Sequence, residues 1–211
     1  MTDAEHEKVH AARAAADHVE DGMTVGLGTG STVAHLLPAL AERGLDLRCV
    51  ATSPATEEAA RELGLTVEPF DRLERLDIAI DGTDQVTPGR WLVKGGGGAH
   101  TREKIVAAAA ERFVVIADST KSVERIAAPI PLELFPFGLA ATLARLGDVT
   151  LRDVPPSPDG GLIADYRGAV ADPATLAARL SGTPGVVDHG LFAAEMVAEV
   201  LIGRGHDVER I

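Results

Sequence analysis

Met23-Thr24-Val25-Gly26-Leu27-Gly28-Thr29-Gly30-Ser31-Thr32, read with Val33, Leu36, Leu37 and Leu40 behind it, is the stretch that decides the fold. Met23-Thr24-Val25 reads as a short buried strand. The apolar residues after the loop recur at i, i+3, i+4 and i+7, which makes one face of a helix that Gly44 closes. Pro38 falls inside that pattern, where proline removes an N–H from the helical ladder. Strand, glycine loop, helix is the opening of an α/β unit.

The alternation extends in both directions. Glu5 to Glu20 is Ala-rich and free of Gly and Pro, which favours helix, and Asp21-Gly22 ends it. Downstream, Leu47 to Ala51 predicts a strand, Ala55 to Leu63 a helix stopped by Gly64, and Leu76 to Ile80 an apolar strand. Trp91-Leu92-Val93 leads into a glycine run, Arg102 to Arg112 predicts a helix, and Phe113 to Ala117 another strand. Strands alternating with helices imply a parallel sheet covered on both faces. Past Ala127-Ala128-Pro129-Ile130-Pro131 the texture changes to short strands with interleaved helices, at Leu132–Phe135, Gly138–Leu146, Val149–Leu151, Leu162–Ala164 and Pro173–Leu180, which suggests a compact α+β unit. The stretch from Ala193 to Ile202 is ambiguous: Ala and Glu favour helix, whereas Val197, Val200, Leu201 and Ile202 suit a buried strand.

On a parallel sheet, ligands bind at the carboxyl ends of the strands, so the loops there are where chemistry is sought. Thr29-Gly30-Ser31-Thr32 offers small residues and hydroxyls at a helix N-terminus, a setting for an anion such as phosphate. It reads equally as a tight turn with Ser31 or Thr32 as the N-cap. No Lys follows the last glycine as in a Walker loop, and a dinucleotide fingerprint lacks its third glycine and its ribose acid. Asp81-Gly82-Thr83-Asp84-Gln85 puts two carboxylates at a strand tip, for acid–base work or sugar hydroxyls, or simply for a turn. Lys94-Gly95-Gly96-Gly97-Gly98 costs backbone entropy on ordering, which points to close approach of backbone to a ligand, the competing reading being a flexible linker. Lys94 suits a developing oxyanion. Glu103, with a reference pKa of about 4.3, suits a base or complements the helix dipole. Lys121, after Ala117-Asp118-Ser119-Thr120, suits an anionic group or a solvated surface.

The chain has 211 residues with 32 acidic and 20 basic side chains, a net charge of -12 that argues against nucleic acid as a partner. Cys49 stands alone, so no disulfide framework or Cys-rich zinc module is available. His6 and His10 sit at i, i+4 but bring no third metal ligand. The start, Met1-Thr2-Asp3-Ala4-Glu5-His6-Glu7, is acidic where a signal peptide would be basic, and no apolar run reaches bilayer length, so a cytoplasmic address is expected and no membrane.

Taken in order, Gly26–Thr32, Thr52-Ser53 with Thr56, Asp81-Gly82-Thr83-Asp84, Lys94–Gly98 with Arg102-Glu103-Lys104, Ala117–Lys121 and Pro184-Gly185-Val186-Val187-Asp188-His189-Gly190-Leu191-Phe192 resemble type A ribose-5-phosphate isomerase. The resemblance spans most of the chain. It implies an α/β fold, a Rossmann-like parallel sheet domain with a second, smaller α+β domain. The expected bounds are 1–128 with the tail 203–211 returning to it, and 129–202. It also favours strand for Val197 to Ile202.

The activity it implies is interconversion of ribose 5-phosphate and ribulose 5-phosphate in the pentose phosphate pathway, with no metal or organic cofactor, in a homodimer or dimer of dimers. By the same resemblance Glu103 is the proton acceptor, and Asp81, Asp84 and Lys94 are catalytic. Thr29, Gly30, Ser31, Thr32, Gly82, Thr83, Gly95, Gly96, Gly97 and Lys121 bind substrate with them, and Lys8 reaches the phosphate. The chain departs from the family pattern at Thr83 and Gln85, where Ala and Glu are usual, and at His100, where an apolar residue is common. Ser157-Pro158-Asp159-Gly160-Gly161 also replaces the usual Thr-Asp-Asn-Gly-Asn type of turn. Competing readings are a non-catalytic sugar-phosphate sensor, for which a DNA-binding helix-turn-helix and a basic face are missing, and an amino-sugar phosphate deaminase or isomerase of related architecture.

Overall fold

The computed structural model describes residues 2–211. In chain order the elements are α1 (Asp3–Ala16), β1 (Thr24–Leu27), α2 (Val33–Ala41), β2 (Arg48–Ala51), α3 (Pro54–Glu62), β3 (Leu76–Gly82), β4 (Gln85–Val86) and β5 (Leu92–Val93). They continue with α4 (His100–Ala109), β6 (Ala110–Asp118), β7 (Ile130–Leu134), α5 (Leu139–Leu146), β8 (Val149–Leu151), β9 (Leu162–Tyr166) and α6 (Pro173–Ser181). The last are β10 (Val186–His189), β11 (Leu191–Phe192), β12 (Glu199–Arg204) and β13 (Asp207–Arg210).

By its internal contacts the chain falls into two compact units. The first takes the chain up to Thr83, then Arg102–Ser122 and Glu195–Ile211; the second takes Asp84–Thr101 and Val123–Ala194. This division differs from the expected 1–128 with 203–211 against 129–202. Residues 84–101 go with the second unit because β5 pairs with β11 and β4. Residues 195–202 go with the first because β12 lies parallel beside β6.

The first unit is built on a six-stranded sheet in the order β13-β12-β6-β3-β1-β2. Five strands run parallel, and β13 closes the edge as an antiparallel hairpin with β12. The ambiguous stretch is strand only from Glu199, after a 3-10 turn at Ala194–Met196, because Val200, Leu201 and Ile202 are wholly buried between β6 and β13. Helices begin where the sequence supplies caps: Thr2 accepts from Glu5 N (3.3 Å), and Ser53 from Thr56 N (3.2 Å) ahead of Pro54. Pro38 stays within α2. The Ala face of α1 (Ala11, Ala12, Ala15) packs with Val25, Leu36, Leu40, Ile78 and Ile116 in one core.

The second unit carries a four-stranded antiparallel sheet, β10-β7-β9-β8, and a three-stranded one, β11-β5-β4. Leu132, Leu134, Ala164, Leu180 and Leu191 form its core. No helix among the described residues is long and apolar enough to cross a membrane.

Candidate active site

In the first unit the glycine loop leaves β1 against the end of β3. Gly28 N–H donates to Ile80 O at 3.0 Å, and Thr56 Oγ1 donates to Gly28 O at 2.9 Å. Both ties bring the loop onto Asp81, which is 3% exposed. Asp81 Oδ1 accepts from Thr29 N at 3.1 Å and Gly82 N at 2.7 Å. A side chain at Gly28 has no room: its Cβ would lie 1.9 Å from Asp81 Cγ and Oδ1. The glycine is there so that the backbone can approach the carboxylate, a requirement of packing and not of φ.

Thr29 Oγ1 is 2.8 Å from Thr52 Oγ1 and 3.4 Å from Thr56 Oγ1, so a cluster of hydroxyls backs the loop. Gly30 has φ +124, and Ser31 is exposed. Thr32 holds the N-cap position of α2 but makes no side-chain cap hydrogen bond. The reading of this loop as an ordinary capped turn therefore lacks its defining contact.

Lys121 lies half-buried just past β6, in a turn organised by Asp118, whose Oδ1 accepts from Thr120 N (3.0 Å) and from the Thr120 hydroxyl. A residue that the sequence did not mark anchors this turn. Glu7, on α1 and buried, accepts from Ser119 N and Gly205 N, each at 2.9 Å. The Ser119 hydroxyl, then the Gly205 and Ser119 amides, hold its carboxyl below the usual carboxylate range. Its neighbour Lys8 is paired with Glu5 at 2.6 Å, and Glu5 also meets His35 at 3.0 Å. Glu103, in the first turn of α4, is buried at 5% exposure.

In the second unit Asp84 and the glycine run meet directly: Gly96 N donates to Asp84 Oδ2 at 2.8 Å. Gly95 (φ +106) and Gly98 (φ +75) occupy backbone conformations that L side chains rarely adopt, and a Cβ at Gly96 would stand 2.9 Å from Asp84 Oδ1. The run is thus an ordered turn, with Gly98 N donating to Gly95 O at 3.0 Å, and not a linker. Lys94 is 2% exposed, its N–H on Gly190 O (2.8 Å) and its Nζ 5.6 Å from the centre of the Phe192 ring.

Gln85, a departure from the family pattern, has a local reason. Its Nε2 donates to Ala127 O (2.8 Å) and its Oε1 accepts from Ala127 N (2.9 Å), a pair of hydrogen bonds to one residue's backbone that an ionised Glu cannot complete. His100 is fully buried, and a Cβ on Gly95 would come within 2.6 Å of its Nδ1.

The structure therefore brings Thr29, Gly82 and Asp81 together in one unit and Asp84 with Gly96 in the other. Glu7 and Arg152, whose Nη1 donates to Gly95 O (2.9 Å) and Gly96 O (3.0 Å), are the residues that sequence reasoning missed. Glu7's only signal is its place beside Lys8; Arg152 has none. Among the described residues no three His, Cys, Asp or Glu side chains are grouped to hold a metal ion, so His6 and His10 gain no third ligand.

The family model described as Ribose 5-phosphate isomerase A (phosphoriboisomerase A) matches residues 48–207. The chain belongs to that family. The ribose-5-phosphate isomerase A of Caulobacter vibrioides (strain NA1000 / CB15N) is 45% identical over 224 residues, covering 99% of this chain and 98% of its own length. That coverage takes in the Gly26–Thr32 loop, which precedes the stretch the family model matches. The crystal structure of ribose 5-phosphate isomerase A from Neisseria gonorrhoeae superposes with a TM-score of 0.92 at 32% identity, over 97% of this chain and 95% of that one. A D-ribose-5-phosphate isomerase in complex with phospho-erythronic acid gives 0.93 at 33% identity, over 100% and 99%. The α/β architecture with a parallel sheet and a smaller β-rich part is shared with these isomerases.

Proposed function

We propose that this chain interconverts D-ribose 5-phosphate and D-ribulose 5-phosphate through a cis-enediolate, with Glu103 as the general base. The observation that carries the assignment is full-length similarity to an isomerase solved with phospho-erythronic acid. A phosphorylated aldonic acid has an anionic two-oxygen group beside a carbon chain that ends in phosphate, which is the charge pattern of an enediolate of ribose 5-phosphate.

The reaction moves a proton from C2 to C1 and another between the two oxygens. Glu103 takes the proton from C2 and returns it to C1, a step to which a positioned base contributes about 10²–10⁴-fold. Negative charge grows on oxygen as the C2–H bond breaks. Lys94 and the amides of Gly95 and Gly97 meet that charge, while the Gly96 amide, engaged by Asp84, holds that carboxylate in place. Asp81, immobilised by the Thr29 and Gly82 amides, serves the oxygen proton transfer and ring opening. Asp84, with Gly82 and Thr83 beside it, orients the sugar hydroxyls. Thr29, Gly30, Ser31, Thr32 and Lys121 take the phosphate, and Lys8 assists from α1. The attraction is local, because a chain of net charge -12 repels an anion at long range.

The test is a direct ribose 5-phosphate to ribulose 5-phosphate assay with chelator present, run on the wild type and on Glu103→Gln. Turnover by the wild type, with nearly all of it lost in a folded variant that still binds sugar phosphate, is expected. An inactive wild type refutes the function. A fully active Glu103→Gln refutes the assignment of the base.

A further inference from the structure

We propose that Arg152 is a positioning residue for this isomerisation: it fixes two successive peptide planes of the glycine run and, through one of them, the Asp84 carboxylate. The proposal rests on the function just given. Every group involved belongs to the second unit.

Arg152 follows β8, and its guanidinium is gripped by Asp165 of β9 through Nε to Oδ2 (3.1 Å) and Nη2 to Oδ1 (2.7 Å). Arg167 lies 3.9 Å from the same carboxylate. The pair is sheltered, with the Arg152 side chain 18% and the Asp165 side chain 11% exposed. Fork geometry of this kind sets direction as well as energy. Held so, Nη1 donates to two consecutive carbonyls, Gly95 O at 2.9 Å and Gly96 O at 3.0 Å.

Both peptides are trans, and a trans peptide carries its N–H opposite its C=O. With Gly95 O drawn to Arg152, the Gly96 N–H faces the other way, where it meets Asp84 Oδ2 at 2.8 Å. With Gly96 O drawn to Arg152, the Gly97 N–H is turned away from the guanidinium too, as a donor on the face opposite the cation. Charges and dipoles then line up in one series: Asp165, Arg152, the Gly95–Gly96 peptide, Asp84. Each bond in such a series strengthens its neighbours. Glycine has the largest backbone freedom to lose, so a run of them keeps its amides aimed only if something holds its carbonyls. Arg152 does this through the backbone carbonyls it holds.

A structural tie alone would cost stability when removed and leave the chemistry of folded molecules unchanged. The experiment compares wild type, Arg152→Ala and Arg152→Lys for kcat and KM with ribose 5-phosphate, for thermal unfolding, and for rescue by millimolar guanidinium ion. Expected is a fall in kcat of about 10- to 10²-fold per folded molecule, with KM little changed because the phosphate is held elsewhere. Added guanidinium restores part of kcat in Arg152→Ala and does nothing to the wild type. Arg152→Lys, which keeps the charge and the fold but loses the fork, shows the same fall. Wild-type kcat in Arg152→Lys overturns the proposal, as does an activity loss in Arg152→Ala that tracks only the loss of folded protein and does not respond to guanidinium. Absence of turnover in the wild type overturns the function itself and this proposal with it.

Discussion

Replacing Gly28 by Ala tests how tightly the glycine loop is fitted to Asp81. The new methyl would lie 1.9 Å from Asp81 Cγ and Oδ1 and 2.5 Å from its Cβ, where no real contact is possible. The backbone cannot retreat. β1 is held in parallel register with β3 through Val25–Ile78, Gly26–Ala79 and Leu27–Ile80, and Gly28 itself is tied at both its N–H and its C=O. Relief must come from Asp81, which has to swing off the Thr29 and Gly82 amides. Each hydrogen bond to a charged group contributes about 1.5–3 kcal/mol, so loss of the two amounts to about 3–5 kcal/mol after partial relaxation. In a chain of this size 1 kcal/mol moves Tm by roughly 2–4 °C, giving a fall of about 6–20 °C. The assay is thermal unfolding of wild type, Gly28→Ala, Asp81→Gly and the double variant, with isomerase activity measured on each. If the collision is the cause, adding Gly28→Ala to Asp81→Gly costs almost nothing, and the coupling between the two nearly equals the cost of Gly28→Ala alone. Additive losses, or a Gly28→Ala variant with wild-type Tm and turnover, refute the reasoning.

Glu7→Gln should lose one of two charge-assisted amide bonds and about 2 kcal/mol at neutral pH, read by thermal unfolding. Because the folded-state pKa of Glu7 is depressed, its stabilisation is fully present above the unfolded value of about 4.3 and is lost as the pH falls through the folded value; the gap between variant and wild type should therefore close in acid. A gap that stays constant down to pH 3 would count against Glu7. Cys49 is buried in β2, and burial pushes its thiol up to about 11. A disulfide reagent at pH 8 should leave the native protein unlabelled and react at once in denaturant, and rapid native labelling would contradict the fold around β2.

The elements that sequence made legible are those long enough to show a period. Leu36, Leu37 and Leu40 announce α2 and Ile78–Ile80 announce β3, because a helix or buried strand of ordinary length repeats its apolar contacts. β4, β5 and β11 have two residues each, too few to carry a pattern, and β13 is a polar edge strand, Asp207–Arg210, whose partner is fixed by the hairpin and not by its own residues. Residues 84–101 fall with the second unit through the short β5 pairings, and residues 195–202 with the first through β12 beside β6. Asp81, Asp84 and Lys94 stood out because a carboxylate or lysine close to glycine in a strand-end loop is chemically conspicuous, and Glu103 because it lies in the first turn of the helix after the glycine run. Glu7 and Arg152 did not, since each acts on backbone groups far along the chain: Glu7 on Ser119 and Gly205, Arg152 on Gly95 and Gly96.

Sequence reasoning took the four glycines at 95–98 as a sign that a ligand needs close approach. Much of the need turns out to be internal. Gly95 and Gly98 are required by positive φ, and Gly96 by the Asp84 carboxylate against which it packs. The entropy lost in ordering them is offset by the same contacts that aim their amides, the Arg152 guanidinium on one side and Asp84 on the other. A glycine run clamped at its carbonyls therefore holds a fixed backbone, with the Gly96 amide on Asp84 and the Gly98 amide on Gly95 O. For the proposed enediolate, such a backbone would meet the developing charge without reorganising at the moment of reaction.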